Sequence, residues 1–194
     1  MLAGIRSLSR PLNRAINSDR NRLSCLAIEL VIALLAGLST SFEPLIALFL
    51  PTLLGLCART NKAFTTPAKA CVFAVIRGTK SPSLLPYLVK SLDHKSPSVR
   101  LVAAEGVLAY LDCVNHPDIV KDTRQRPLEA VIKLTTRDPN ADVRQAGKKI
   151  FEIYKALLPG RVERLVQNAS AHDDMSHIYR SVSSHHCPPS PRSI

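Results

Sequence analysis

Few of the 194 residues are of a type and spacing that suits covalent chemistry, and the ones that stand out are cations. Five cysteines lie at 25, 57, 71, 113 and 187. Their number is odd, no CxxC occurs, and no secretory signal precedes them. Four fall in apolar stretches, so they read as buried, reduced thiols of a cytosolic or nuclear protein. His185, His186 and Cys187 form a cluster able to bind a metal adventitiously, without the second cluster a structural site needs. Ser190-Pro191 has the form of a proline-directed phosphorylation dipeptide. No phosphate-cradling glycine loop, nucleophile elbow, HExxH or dinucleotide fingerprint is present. The sequence therefore predicts no enzyme, no cofactor, no metal and no small-molecule substrate.

What remains is charge. Lys and Arg number 26 against 15 Asp and Glu, a formal balance of +11. Residues 1–168 carry 24 basic and 13 acidic side chains, so the whole excess sits there (24 − 13 = +11), and residues 169–194 are neutral. Such a balance suits an acidic partner: nucleic acid, an anionic membrane or an acidic protein surface. Cations recur in four short polar stretches, SDRNR (18–22), RTNK (59–62), DHKSP (93–97) and RDPNA (137–141). Arg20, Arg22, Arg59, Asn61, Lys62, His94, Lys95 and Asn140 are the candidate contact residues there. Arg100 and Arg144 lie one helical turn further on. They also have a structural reading, because Asp93, Asp138 or Asp142 and nearby carbonyls are within reach. RTNK has less structural excuse, being wholly polar between two very apolar segments.

These stretches need elements that present them together, and the sequence supplies a repeat. At an offset of 44 residues Val99 matches Val143, Arg100 matches Arg144, Ala103 faces Gly147 and Tyr110 matches Tyr154. Leu84 and Leu88 match Leu128 and Ile132. This is the period of a helical repeat with two helices per unit. The spacing predicts helix pairs at 2–16 with 21–38, 42–58 with 63–78, 82–93 with 97–113, and 124–137 with 141–157. A short cap follows near 160–168. Thr66-Pro67, Ser81-Pro82 and Ser96-Pro97 read as capping hydroxyls before a first-turn proline, and Gly78 and Gly160 as helix stops. The expected fold is an all-α solenoid of about four HEAT-type pairs over residues 1–168, with a disordered Ser/His/Pro-rich tail at 169–194. In such a stack the turns within pairs line one edge, with neighbours ~8–10 Å apart.

Leu23–Leu38 and Leu45–Ala58 are apolar enough to suggest a membrane. Each falls short of the roughly 20 residues that a bilayer asks for, and they contain Glu29 and Pro51. Two core helices are expected instead. Arg6, Arg10 and Arg14 share one face of the first helix, opposite Leu8, Leu12 and Ile16. That face would serve a nucleic-acid binder or a transit peptide, but a solvated face of a core helix is the simpler reading, and the few aromatics argue against stacking on single strands.

The stretches LSTSFEPLIALFLPTLLGLCARTNKAF (38–64), SPSLLPYLVKSLDHKSPSVR (81–100) and RDPNADVRQAGKKIFEIYKALLPGRVERL (137–165) resemble the TOG-type N-terminal domain of the CLASP family of microtubule-associated proteins. The resemblance runs from about Leu12 to Val166. It implies an array of HEAT repeats in the cytoplasm, on microtubules and the spindle, that binds tubulin through its intra-repeat turns and regulates microtubule dynamics. Transferred by position, the implied contacts are Arg20, Arg22, Arg59, Asn61, Lys62, Lys95, Arg100, Asn140 and Arg144. A complete domain of that type has more helix pairs than are read here. Its tubulin-contacting aromatic has no counterpart in a chain without Trp, which points to a fragment or a degenerate copy. A general HEAT scaffold that binds another protein on its concave face is the alternative.

Overall fold

A computed structural model describes residues 2–114 and 122–162. The first pair is α1 (Leu2–Ile16) and α2 (Asn21–Leu38). A 3-10 segment, Ser39–Leu45, leads to α3 (Ile46–Leu56) and then α4 (Lys62–Thr79). A second 3-10 turn, Pro82–Leu84, opens α5 (Leu85–Leu92), paired with α6 (Pro97–Cys113). The last pair is α7 (Asp122–Thr136) and α8 (Ala141–Leu157). Among the described residues there is no strand. The tail at 169–194, with His185, His186, Cys187 and Ser190-Pro191, lies outside them, as does most of the expected cap.

The packing is that of a solenoid. The first helices of the pairs stack in chain order, α1 on α3, α3 on α5, α5 on α7. The second helices form a parallel layer, α2 on α4, α4 on α6, α6 on α8. The core lies between the layers and is made of Leu, Val, Ile and Ala with few rings. In α8 the inward stripe is Val143, Ala146, Gly147, Ile150, Phe151 and Tyr154, at helical period. Each Leu or Ile so buried contributes about 1.5–3 kcal/mol. The apolar stretch Asn21–Leu56 is long and apolar enough to cross a membrane by length and composition alone. Here it is broken at Ser39, whose φ is 47°, and at the 3-10 segment, and α3 turns back to pack on α1.

Several local expectations change. Asn61, not Thr66, starts α4: its side chain accepts the Ala63 N–H at 2.9 Å, so Thr66-Pro67 falls inside the helix. Ser81 does cap, accepting the Ser83 N–H at 3.1 Å, whereas Ser96 stands at the N-cap of α6 with no side-chain cap bond. Gly78 does not stop α4; the left-handed residue is Lys80, φ 48°. A Cβ on Gly78 would lie 3.0 Å from Leu35 Cδ1, so glycine there admits α2 rather than ends a helix. Gly160 is likewise already inside the helical turn that follows Leu158. Ile16 is fully buried and Leu12 half-buried, but Leu8 is 61% exposed. It lies on the outer end of the array with Leu23, Leu26 and Leu30, because α1 and α2 have described neighbours on one side only. Cys57 and Cys71 are buried; Cys25 and Cys113 are half-buried.

Candidate functional site: a ridge of intra-repeat turns

The four polar stretches are neighbours along one edge, and arginines tie them in two pairs. Arg59, in the turn between α3 and α4, reaches back to the turn after α1. Its Nη2 donates to the Asn17 carbonyl at 2.8 Å and its Nη1 to the Ser18 carbonyl at 3.5 Å. Nη1 also pairs with Asp19 at 3.2 Å, and the guanidinium lies 4.7 Å over the Phe64 ring. The carbonyls left open where α1 ends thus find donors from the next repeat. RTNK therefore does have a structural task.

Arg100 does the same at the other end. Its Nη1 donates to the carbonyls of His94 and Lys95, at 3.0 and 3.2 Å, within its own turn. Its Nε and Nη2 donate to Asp138 in the next turn, at 2.6 and 3.0 Å. The two side chains are 12% and 5% exposed. Burial pushes the Asp138 carboxyl upward, but the Arg100 fork, the Asn140 N–H at 2.8 Å and the Arg144 charge together hold it below the usual carboxylate range. The Asp138 hydrogen bond in turn raises the Arg100 guanidinium. Arg144 donates to the carbonyls of Asp138 and Pro139, both at 2.8 Å, which makes it the in-turn counterpart of Arg100. Asn140 caps α8, accepting from the N–H groups of Asp142 and Val143 at 2.9 and 3.2 Å.

The nine candidate residues thus divide. Arg59, Arg100, Arg144 and Asn140 are half-buried and engaged in shaping the turns, and Asn61 is exposed but serves as a cap. Arg20, Arg22, Lys62 and Lys95 are exposed. His94 is half-buried, its Nδ1 accepting the Ser96 N–H at 3.0 Å. These inter-turn bonds join the first turn to the second and the third to the fourth. Between the second and third lies a cleft of ≈ 620 Å³. Its walls include Lys62, Lys69, Thr65 and Thr66 on α4 and Ser96 and Ser98 at the start of α6. Lys69 is paired with Glu105 at 2.7 Å. Sequence reasoning missed Asp19 as the Arg59 partner and the hydroxyl wall of the cleft. The first could have been sought from the opposite charges one repeat apart; the second depends on packing and left no pattern. Among the described residues no cluster of three or more His, Cys, Asp or Glu is poised to hold a metal.

Comparison with known proteins bears on the fold that carries this ridge. The chain is 24% identical over 168 residues to the Protein stu-1 of Neurospora crassa; that match takes in 85% of this chain and 15% of the relative. The chain therefore spans only a small part of that relative's length. A solved structure concerning microtubule plus end tracking by XMAP215, CLIP-170 and EB1 superposes with a TM-score of 0.65 at 19% identity, over 92% of this chain and 72% of the other. The MAST/Orbit N-terminal domain superposes at 0.60 and 15% identity, over 90% and 78%. At these identities the likeness is one of fold, and it is the fold of a HEAT-repeat array. The model of the CLASP N-terminal family matches residues 1–175, nearly the whole chain, and the chain belongs to that family.

Proposed function

We propose that this chain is a tubulin-binding module of the microtubule cytoskeleton that regulates microtubule dynamics, binding as a scaffold and not as a catalyst. Family membership and the microtubule proteins among its structural neighbours support the reading. The observation that carries it is the ridge: Arg20, Arg22, Lys62 and Lys95 are exposed on three consecutive turns that Arg59 and Arg100 hold in shape. Such a row offers a repetitive positive edge to an acidic polymer surface. Arg59, Arg100, Arg144, Asn61 and Asn140 contribute indirectly, by fixing where the exposed cations stand.

The test is microtubule co-sedimentation of the full chain beside the double charge reversal K62E/K95E and the pair R20E/R22E. Both variants should keep the parent's helical circular dichroism and melting temperature and lose most of their binding at low salt. Equal sedimentation of parent and variants would show that another face makes the contact. Binding to a non-tubulin partner that is unaffected by the same changes would favour a general scaffold working through its concave face.

A further inference from the structure

The chain has four Ser/Thr-Pro dipeptides, at 66, 81, 96 and 190. The first three lie within the described residues, and the fold treats them differently. Thr66 is inside α4, with helical backbone on both sides. Ser81 has extended backbone, φ −80° and ψ 137°, but it is 4% exposed. Its hydroxyl is occupied by Glu43 and by Ser83. Ser96 is extended, φ −78° and ψ 123°, the conformation a following proline favours. It is only half-buried, between exposed Lys95, Pro97 and Ser98. As the N-cap of a 17-residue helix it would be expected to spend its hydroxyl on the first turn, yet it makes no cap bond. No acidic residue occupies that turn, and Ser96 lines the same cleft as Lys62 and Lys69.

We propose that Ser96 is a phosphorylation site for a proline-directed protein kinase and that its phosphate switches the ridge off. Ser96 Oγ attacks the γ-phosphorus of a nucleoside triphosphate held by the kinase. The Oγ–P bond forms, the bond from that phosphorus to the β–γ bridging oxygen breaks, the nucleoside diphosphate leaves, and the hydroxyl proton passes to the kinase's base. The product carries about −1.5 to −2 charge at neutral pH. It stands at the start of α6, where open N–H groups and the helix dipole favour an anion, within the cleft that Lys62 and Lys69 line. The middle of the ridge then repels the acidic surface it otherwise attracts. The site itself is read from backbone, exposure and an unused hydroxyl; only its consequence rests on the microtubule reading.

The experiment treats the full chain with a cyclin-dependent-class kinase and Mg-ATP and maps phosphate by mass spectrometry. Short synthetic peptides around Thr66, Ser81 and Ser96 serve as references. All three peptides should accept phosphate, while in the folded chain Ser96 should do so at least about tenfold faster than Ser81 or Thr66, which need local unfolding first. Equal rates at the three positions, or none at Ser96 in the folded chain, would overturn the assignment. The treated chain should then melt higher than S96A treated in the same way, and should sediment with microtubules less than that control. Undiminished sedimentation at full Ser96 occupancy would remove the switch. Failure of the untreated chain to sediment would count against the microtubule reading, and the phosphate map would still decide the site.

Discussion

Arg100 and Asp138 form a two-pronged ion pair across a repeat boundary, Nε to Oδ2 at 2.6 Å and Nη2 to Oδ1 at 3.0 Å. The pair is nearly enclosed, and every other polar atom near it is spoken for: Asp138 also accepts the Asn140 N–H, and Arg100 also serves the carbonyls of His94 and Lys95. One residue thereby fixes the shape of its own turn and its distance from the next. A planar fork is needed for this, and a lysine ammonium cannot reproduce it.

Breaking the pair should therefore cost stability as well as register. Asp138→Asn is expected to destabilise the fold by about 3 kcal/mol, since it leaves the Arg100 charge enclosed without its partner, and Arg100→Lys by about 1–2 kcal/mol, since the ammonium keeps the charge but loses the fork and its hydrogen bonds. Urea unfolding at neutral pH measures this. The pH dependence follows from the sign of the shift. The Asp138 carboxyl is held lower in the folded chain than in the unfolded one. Its contribution is complete above the ordinary carboxylate range, near pH 4, and is lost as pH falls through the folded value. Stability of the parent should thus drop as pH falls below about 4, with a steeper slope than that of Asp138→Asn.

Arg59 and Lys62 separate shape from contact within one turn. Arg59→Ala removes donors from the carbonyls of Asn17 and Ser18 and should cost about 1–2 kcal/mol. Lys62→Ala, at an exposed position, should leave stability within about 0.5 kcal/mol. In microtubule co-sedimentation both are expected to weaken binding, but only the Arg59 variant should also lower the melting temperature. If both variants melt like the parent, the inter-turn bonds of Arg59 are dispensable.

The helix pairs, their order and most of their limits were legible in the chain because the 44-residue offset and the apolar period both arise from burial, which acts through local pattern. The buried stripe of α8 follows directly from that period. Helix ends read from Pro and Gly alone did not hold at Thr66, Gly78 and Gly160, because caps compete and the Asn61 amide wins six residues upstream of Pro67. Which cations face outward was also hidden. Arg59 and Lys62 are alike as charges, and only the approach of Asp19 and the Asn17 carbonyl, some forty residues away in sequence, sorts one into the scaffold and leaves the other exposed. The dual reading of Arg100 narrowed only when Asp138, rather than Asp93 or Asp142, proved to be its carboxylate partner.

The cysteines yield a prediction that checks the two-layer core. Burial pushes the Cys57 thiol up to about 11 and the Cys71 thiol up to about 12. Thiolate is the reactive form, so at pH 8 both should resist iodoacetamide in the folded chain and label on addition of denaturant. Among the described residues Cys25 and Cys113, half-buried, should label before Cys57 and Cys71. Mass spectrometry of tryptic peptides at timed intervals gives the order; early labelling of Cys71 would mean that the α4–α6 contact opens readily.

Gly147 gives a final test, of the α7–α8 contact. A Cβ built there runs into Thr135 Oγ1 and lies 2.7 Å from its Cβ, closer than any real contact permits. Thr135 cannot simply turn away, because it is fully buried and its hydroxyl donates to the carbonyl of Val131 at 2.8 Å. In an open helix Gly→Ala stabilises by about 1 kcal/mol. Here overpacking costs about 1–3 kcal/mol against that gain, so Gly147→Ala should destabilise by a net of about 1 kcal/mol. The double change Gly147→Ala with Thr135→Ala removes Oγ1, the nearest atom, and should recover part of the loss, which a double-mutant cycle reads directly. At the matching position of the preceding repeat, Ala103 is fully buried and tolerated, so the glycine answers to the bulk of Thr135 and not to the repeat as such. If Gly147→Ala instead raises the melting temperature as it would on a free helix surface, α7 and α8 do not approach as closely as this packing requires.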